Sequence, residues 1–127
     1  MTSQQIFDTV VDHLLTQGKQ SKSSVCMYRS ADGSKCAVGA LILDSEYDPA
    51  MEFSVLDPIH CNHPTPIQEW AQRKYPHDLK LLHRLQKLHD DGPILPANRF
   101  PQVWEEYILT QSKVIAEEFG LTWKRTA

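Results

Sequence analysis

Three cysteines and a histidine supply the donor atoms for the first chemistry that the sequence suggests. Cys26, Cys36, Cys61 and His63 form a Cys₃His set, and zinc prefers thiolate and imidazole ligands in closed tetrahedral sites. The spacing argues against such a site, because the chain has no Cys-x₂-Cys pair and Cys26 and Cys36 flank a predicted hairpin. We therefore favour reduced cysteines that pack as small apolar residues, and we predict no metal and no cofactor.

Cys36 also suggests nucleophilic catalysis. It lies at the start of a predicted helical segment, where the helix dipole would lower the thiol pKa, and His60 or His63 would act as the base. The apolar neighbours Ala37 and Val38 would instead raise that pKa. The sequence contains no Gly-x-Ser-x-Gly elbow, phosphate-binding loop or dinucleotide-binding glycine motif. A small hydrolase that uses Cys36 with a histidine, or a bound zinc, is therefore the alternative to a protein without catalytic activity.

A third set combines cations with aromatic rings. Its members fall on the predicted hairpin, in a proline-containing loop and at a kink between two helices: Tyr28, Arg29, Lys35, His60, His63 and Arg73. A guanidinium beside aromatic rings suits a nucleotide or another anionic ligand, through stacking and charge-assisted hydrogen bonds. The same residue types suit the surface of a protein partner. We predict that these six residues line a ligand-binding site.

An acidic bend follows the hairpin. Asp44, Glu46, Asp48 and Glu52 are close together in the sequence, and carboxylate oxygens bind divalent cations. The bend lacks the ordered spacing of a calcium loop, so we interpret its carboxylates as solvated caps and turns.

A short β-hairpin is expected to position Arg29 and Cys36. Val25–Arg29 has the composition of a strand, and Ser30–Ser34 is a turn with Gly33 placed for a positive φ. Lys35 and Cys36 would then pair with the first strand. The small residues that follow predict one or two helical turns over Ala37–Leu43, and a longer return strand through Ile42 is the alternative.

The remainder of the chain is predicted to be helical. Apolar residues at three- and four-residue steps predict the main helices, with capping residues at their ends, and shorter helical turns are expected at Pro49 and around Val55–Ile59. The main helices span Ser3–Gln17, Pro66–Lys74, Asp78–His89 and Pro101–Phe119. The predicted fold is mainly α with a small β component (α+β), with five to six helices packed around the hairpin in a single domain over residues 1–127.

Composition excludes several classes of protein. The 127 residues carry a formal net charge of −3, which argues against duplex nucleic acid as the main partner. No apolar run reaches the roughly 20 residues of a membrane span, and the N-terminal stretch does not resemble a secretion signal. An odd number of cysteines without an export signal predicts reduced thiols and a cytoplasmic protein.

Much of the chain resembles an uncharacterised family of small proteins in phages and bacterial genomes. The resemblance depends on Tyr-Arg at 28–29, Asp-Gly at 32–33, Lys-Cys-Ala-x-Gly at 35–39, a following Asp and Tyr-x-Pro, and Leu-Gln-x-x-His-Asp at 85–90. It implies a small phage-type protein of the host cytoplasm, and it assigns no catalytic residue.

These observations favour a non-enzymatic, phage-type binding protein. We expect a counter-defence inhibitor that sequesters a nucleotide-like signal or blocks a host protein, with self-association possible for so small a binder. The alternatives are the small hydrolase and a structural or regulatory phage protein without a small ligand.

Overall fold

The computed structural model describes residues 1–21, 28–52, 65–93 and 101–124. Over these ranges the chain forms four α-helices, α1 (Ser3–Gln17), α2 (Pro66–Lys74), α3 (Leu79–Asp90) and α4 (Pro101–Phe119), and two 3₁₀ turns, at Gly39–Leu41 and Pro49–Met51. Within these ranges, none of the helices has the length and apolar character needed to cross a membrane.

Helices α1 and α2 begin at the residues that the sequence indicates. Thr2 caps α1 and Thr65 caps α2, each in a reciprocal capping box with the glutamine three residues later. Gly18 ends α1 with a φ of 74°, a left-handed conformation that glycine adopts without strain. The predicted bounds of both helices are confirmed.

Helices α3 and α4 are also confirmed, and α3 is shifted by one residue from its predicted bounds. Gly120 follows α4 with a φ of 65°. The N–H of Leu121 then donates to the carbonyl oxygen of Ala116 over 2.8 Å, which is the long hydrogen bond of a Schellman helix end.

The three long helices enclose one hydrophobic core. Helix α1 packs against α3, α4 and the first 3₁₀ turn, and α3 packs against α4. Two aromatic side chains of α4 tie it to the other helices: the Trp104 indole donates to the carbonyl of Leu14 over 2.7 Å, and the Tyr107 hydroxyl donates to that of Leu88 over 2.6 Å. Near the ends of α1 and α4, the side chain of Gln4 exchanges two hydrogen bonds, of 2.9 and 2.8 Å, with the backbone of Thr122.

The predicted hairpin is reduced to one antiparallel bridge, between Arg29 and Lys35. The described ranges contain no strand, and residues 25–27 of the predicted first strand lie outside them. After Cys36 the backbone turns into helical hydrogen bonds, from the N–H of Ala40 to the carbonyl of Cys36 and from that of Leu41 to that of Val38. The helical turn predicted after Cys36 is therefore confirmed, and the alternative return strand is wrong.

The number of helices is also lower than predicted. The expected short helix near Pro49 is a single 3₁₀ turn, in which the Asp48 carboxylate accepts the N–H of Ala50 over 2.9 Å. The apolar turn expected around Val55–Ile59 lies outside the described residues. The part of the chain that the structure describes therefore has four helices, not five or six, and its fold is mainly α without a sheet.

Gly39 lets the first 3₁₀ turn lie directly on the backbone of Tyr28. A Cβ added at Gly39 would overlap the carbonyl oxygen of Tyr28 and lie 2.9 Å from its carbonyl carbon. Only glycine fits at this crossing, which explains the glycine at position 39.

Candidate functional site

Arg29 is held by contacts within the chain. Its Nη2 lies 2.9 Å from an Asp44 carboxylate oxygen and donates to the carbonyl of Ile42 over 3.0 Å. The guanidinium carbon lies 4.4 Å from the centre of the Tyr47 ring, in a cation–π contact. The predicted ligand-binding guanidinium thus joins the Arg29–Lys35 bridge to the acidic bend.

Glu52 connects the backbone at Tyr28 and Arg29 to the side chain of Tyr47. Its carboxylate accepts the N–H of Tyr28 over 2.9 Å, the N–H of Arg29 over 3.0 Å and the hydroxyl of Tyr47 over 2.6 Å. Burial, together with the hydrogen bond to Glu52, raises the pKa of Tyr47 to about 12. Glu52 therefore serves as a buried structural acceptor rather than as one of the solvated caps that the sequence predicted.

Of the other predicted residues of the ligand site, the structure describes Tyr28, Lys35 and Arg73. The Tyr28 ring belongs to the core, and burial raises the pKa of its hydroxyl. Lys35 is half-buried, and its backbone N–H and carbonyl both bond to the side chain of Gln17. Arg73 lies on the exposed face of α2. His60 and His63 fall outside the described residues.

Cys36 has the environment of a structural thiol. It is buried, its sulfur accepts the N–H of Gly39 over 3.3 Å, and burial raises its pKa. A thiol that resists deprotonation is a poor nucleophile and a poor metal ligand. Cys26, Cys61 and His63, the other members of the predicted zinc set, lie outside the described residues. Across the described ranges, no group of three or more His, Cys, Asp or Glu side chains is arranged to hold a metal.

A buried polar network on α3 was missed by the sequence reasoning. Its members belong to the Leu-Gln-x-x-His-Asp motif. Gln86 accepts the N–H of Val38 over 3.0 Å and donates to Asp90 over 2.8 Å. His89 accepts the N–H of Ser21 at Nε2 over 2.8 Å and donates from Nδ1 to Asp90 over 2.8 Å. Polar residues three and four positions apart on the apolar face of α3 were the signal that could have revealed it.

The His89–Asp90 pair resembles half of a catalytic triad, but its geometry is structural. The Nε2 lone pair, which a general base needs, already accepts a backbone N–H, and the His89 side chain is fully buried. The pair therefore holds the chain at Ser21 against α3.

Gln20, next to Ser21, completes this junction. Its side-chain nitrogen donates to the carbonyl oxygens of His89, Asp90 and Gly92 over 3.0, 3.2 and 3.1 Å. The carbonyls of His89 and Asp90 belong to the last turn of α3, where helix acceptors lack intrahelical partners, and that of Gly92 follows the helix. One side chain from a distant loop thus caps α3.

The Ser30–Ser34 turn is organised by Asp32. The Asp32 carboxylate accepts the hydroxyls of Ser30 and Ser34 over 2.7 and 2.6 Å, and it pairs with Lys19 at 2.5 Å. The hydrogen bond from Lys19, followed by those from the two serines, holds the pKa of Asp32 well below its ordinary value of 3.8. This acidic residue stabilises the turn and is not free to act as a ligand.

Two open surface depressions are formed by described residues. The first, the kink cleft, has a volume of about 410 Å³ and is lined by Ser3, residues 76–81 and Phe119. The second, the Leu43 groove, has a volume of about 350 Å³ and is lined by Met1, Thr9, Ala40, Leu41, Leu43, Lys74 and Tyr75. Of the predicted ligand residues that the structure describes, Tyr28, Arg29, Lys35 and Arg73, none lines either depression.

The Leu43 groove is the more distinctive of the two because large apolar side chains are exposed along it. Leu43 is 58% exposed and Met1 is 65% exposed, whereas Leu41 and Tyr75, which also line the groove, are buried. Only two other large apolar side chains of the described residues, Val103 and Val114, are exposed, and both lie on α4. The groove is therefore our candidate functional site.

Comparisons with known proteins leave the function to be inferred from this geometry. No family model matches the chain, and it has no match among curated proteins or solved structures.

Proposed function

We propose that the protein is a non-enzymatic binding protein of phage type, which counters a host defence by covering the surface of a host protein. The observation that carries this proposal is the Leu43 groove, with its exposed Leu43 above a buried apolar floor. Exposed apolar side chains grouped around a concave surface are typical of sites that bind another protein.

The state of the reactive side chains supports a binding role over catalysis. The thiol of Cys36 is buried, the imidazole of His89 is committed to Ser21 and Asp90, and the carboxylate of Glu52 holds three donors. Each of these groups is buried or hydrogen-bonded within the protein, whereas a catalytic group must be able to reach the substrate. The small hydrolase is therefore the weaker alternative.

The phage origin in this proposal depends on the resemblance of the 28–49 and 85–90 segments. The proposed counter-defence activity can be tested in bacteria. The protein would be expressed in a panel of strains, each carrying one anti-phage defence system, and phage plaques would be counted. We expect plating to recover on at least one strain. We expect Leu43→Ser to lose that recovery and Val114→Ser, an equally small change at an exposed position of α4, to keep it. No recovery on any strain, or equal recovery by both variants, would contradict the proposal.

Sequestration of a nucleotide-like signal is the second candidate, and the kink cleft favours it. The cleft is large enough for a small ligand, for which pockets of about 300–1,000 Å³ are typical. It offers the Phe119 ring for stacking, and the exposed side chains of His77 and Lys80 as hydrogen-bond donors to phosphate.

A thermal-shift screen against cyclic and linear nucleotides tests this candidate. We expect any shift to disappear in Lys80→Ala and to persist in Lys87→Ala, a lysine on the same helix outside the cleft. A silent screen would leave the protein partner as the proposal.

A further inference from the structure

The ring of His89 is held in one tautomer by a backbone donor. The N–H of Ser21 cannot accept a hydrogen bond, and its nitrogen lies 2.8 Å from Nε2 of the imidazole. Nε2 must therefore carry the lone pair of the neutral ring, so the ring proton is on Nδ1, which donates to the Asp90 carboxylate over 2.8 Å. The His89 side chain is fully buried, and the Trp104 ring of α4 packs against it edge to face. The contact between Ser21 and His89 thus depends on a neutral imidazole.

Uptake of a second proton by His89 excludes this contact. A histidine takes its second proton on the nitrogen that carries the lone pair, and both nitrogens of the imidazolium are donors. At His89 this proton would lie on Nε2 and face the N–H of Ser21. The protonated ring and the Ser21 hydrogen bond are therefore mutually exclusive. By linkage, acid favours the state in which Ser21 has left the ring.

Asp90 stabilises the protonated ring in that released state. Its carboxylate bonds to Nδ1 of His89, and Nδ1 carries a proton in both forms of the ring. The carboxylate therefore remains in place when Ser21 leaves, and its hydrogen bond to the imidazolium is then charge-assisted. The same residue that fixes the neutral tautomer thus favours release once the ring is protonated.

Titratable side chains that lie near Asp90 are neutral or paired. Burial is the largest cause that raises the pKa of three of them, and the Asp90 charge adds to the rise, so all three stay uncharged: Tyr28, Cys36 and Tyr107. At the end of α3, the exposed side chains of Lys87 and Asp91 form an ion pair at 3.3 Å. The charge closest to an imidazolium at His89 is therefore that of Asp90.

Ser21 also connects α3 to the Ser30–Ser34 turn. Its hydroxyl lies 3.0 Å from the carbonyl oxygen of Ser34 and 3.3 Å from the hydroxyl of Ser30. The neighbouring Gln20 bonds to backbone carbonyls at the end of α3, which do not titrate. Loss of the bond between Ser21 and His89 therefore changes the attachment of the turn and leaves the cap of α3 in place.

We propose that Ser21 and His89 form an acid-sensitive latch, in which protonation of His89 at Nε2 releases the backbone of Ser21 and loosens the Ser30–Ser34 turn from α3. The latch is independent of the proposed binding function. Each release takes up one proton, so the released population should rise about tenfold per pH unit below about 6.5, the ordinary pKa of histidine.

The test follows the His89 ring and the Ser21 amide in the full chain. Long-range ¹H–¹⁵N spectra at pH 8 should show the ring proton of His89 on Nδ1. Hydrogen exchange of the Ser21 amide, corrected for its intrinsic rate, should lose about tenfold in protection between pH 6.5 and 5.5. His89→Gln supplies an acceptor oxygen that does not titrate, so this loss should disappear. His77→Gln, at an exposed position before α3, should retain it.

A ring proton on Nε2 at pH 8 would overturn the latch, because Ser21 would then face a donor. Protection of Ser21 that is constant with pH, or that falls equally in His89→Gln, would also overturn it. If His89→Gln does not fold, Asp90→Asn serves as the second variant. It removes the carboxylate that stabilises the imidazolium, so the loss of protection should move to lower pH, and an unchanged pH dependence would contradict the latch.

Discussion

At the scale of single residues, Arg29 and Glu52 make contacts that their sequence positions do not indicate. Arg29 follows the pattern of a ligand-binding guanidinium beside a turn, yet Ile42, Asp44 and Tyr47 occupy it. Glu52 follows an acidic run and has the pattern of a solvated carboxylate, yet it is buried beneath the Arg29–Lys35 bridge. Both roles depend on the chain folding back on itself between residues 42 and 52, which local sequence does not specify.

Replacement of Glu52 by Ala should be strongly destabilising. The N–H groups of Tyr28 and Arg29 and the hydroxyl of Tyr47 would lose their acceptor, and each unsatisfied buried donor costs about 1–3 kcal/mol. We expect a loss of about 3 kcal/mol in the free energy of unfolding, measured by urea denaturation. Glu46→Ala, which removes an ion pair with Lys74 and a solvent-exposed hydrogen bond from the N–H of Leu43, should lower the free energy of unfolding by only about 1 kcal/mol. Equal losses in the two variants would contradict the structural role of Glu52.

Asp32 should contribute an acid-sensitive part of the stability. Because the pKa of Asp32 is lower in the folded protein than its ordinary value of 3.8, its contribution is complete above that pH. The contribution is lost as the pH falls from 3.8 toward the folded pKa. We expect wild type to exceed Asp32→Asn in urea midpoint at pH 6 and the difference to shrink below pH 3.8. A ¹³C titration of the Asp32 carboxyl with a midpoint at or above 3.8 would contradict this.

At the scale of elements, the first 3₁₀ turn and the loop before residue 22 are the parts that hold the helices in register. The turn crosses the Tyr28 backbone at Gly39, and the loop caps α3 through Gln20 and reaches His89 through Ser21. Both elements are short and irregular, but they connect segments that are far apart in sequence. The conformation of the turn was predictable from its small residues, whereas its crossing partner was not.

Gly39→Ala tests this crossing. The added methyl would overlap the Tyr28 carbonyl, which is part of the backbone and has little freedom to move. We therefore expect the free energy of unfolding to fall by about 3 kcal/mol, or the variant to fail to fold. Gly18→Ala is the matched control, since its φ of 74° is strained for alanine but open space surrounds the site. Gly18→Ala should lower the free energy of unfolding by about 1–2 kcal/mol. A Gly39→Ala variant as stable as the Gly18→Ala variant would show that the turn can move away from Tyr28.

At the scale of the whole molecule, the helices were predictable and the site was not. Apolar periodicity with Thr–x–x–Gln caps fixes α1 and α2, and Gly120 fixes the end of α4, because these signals lie within a few residues of one another. The Leu43 groove joins residues near positions 9, 41 and 75, so its existence depends on packing that no local pattern encodes. The short extent of pairing after the turn has a local cause instead: within the described residues Arg29 and Lys35 pair, but the small residues after Cys36 favour a helical turn.

The shared core predicts cooperative unfolding. Trp70 and Trp104 are buried in one cluster with α1 and α3, so loss of tertiary packing and loss of helix should coincide. We expect the urea transitions followed by tryptophan fluorescence and by far-ultraviolet circular dichroism to superimpose. Separate midpoints would show that one of the helices unfolds independently of this core.

The packing of α1 against α3 and α4 has a consequence for synthesis of the protein on the ribosome. The apolar stripe of α1, with Ile6, Val10 and Leu14, emerges before its partners on α4, which follow about 100 residues later. At translation rates of about 5–20 residues per second, this stripe waits roughly 5–20 s without its full set of packing partners. The nascent chain therefore displays an amphipathic helix during this interval, and it should be a substrate for ribosome-associated chaperones that bind short apolar segments.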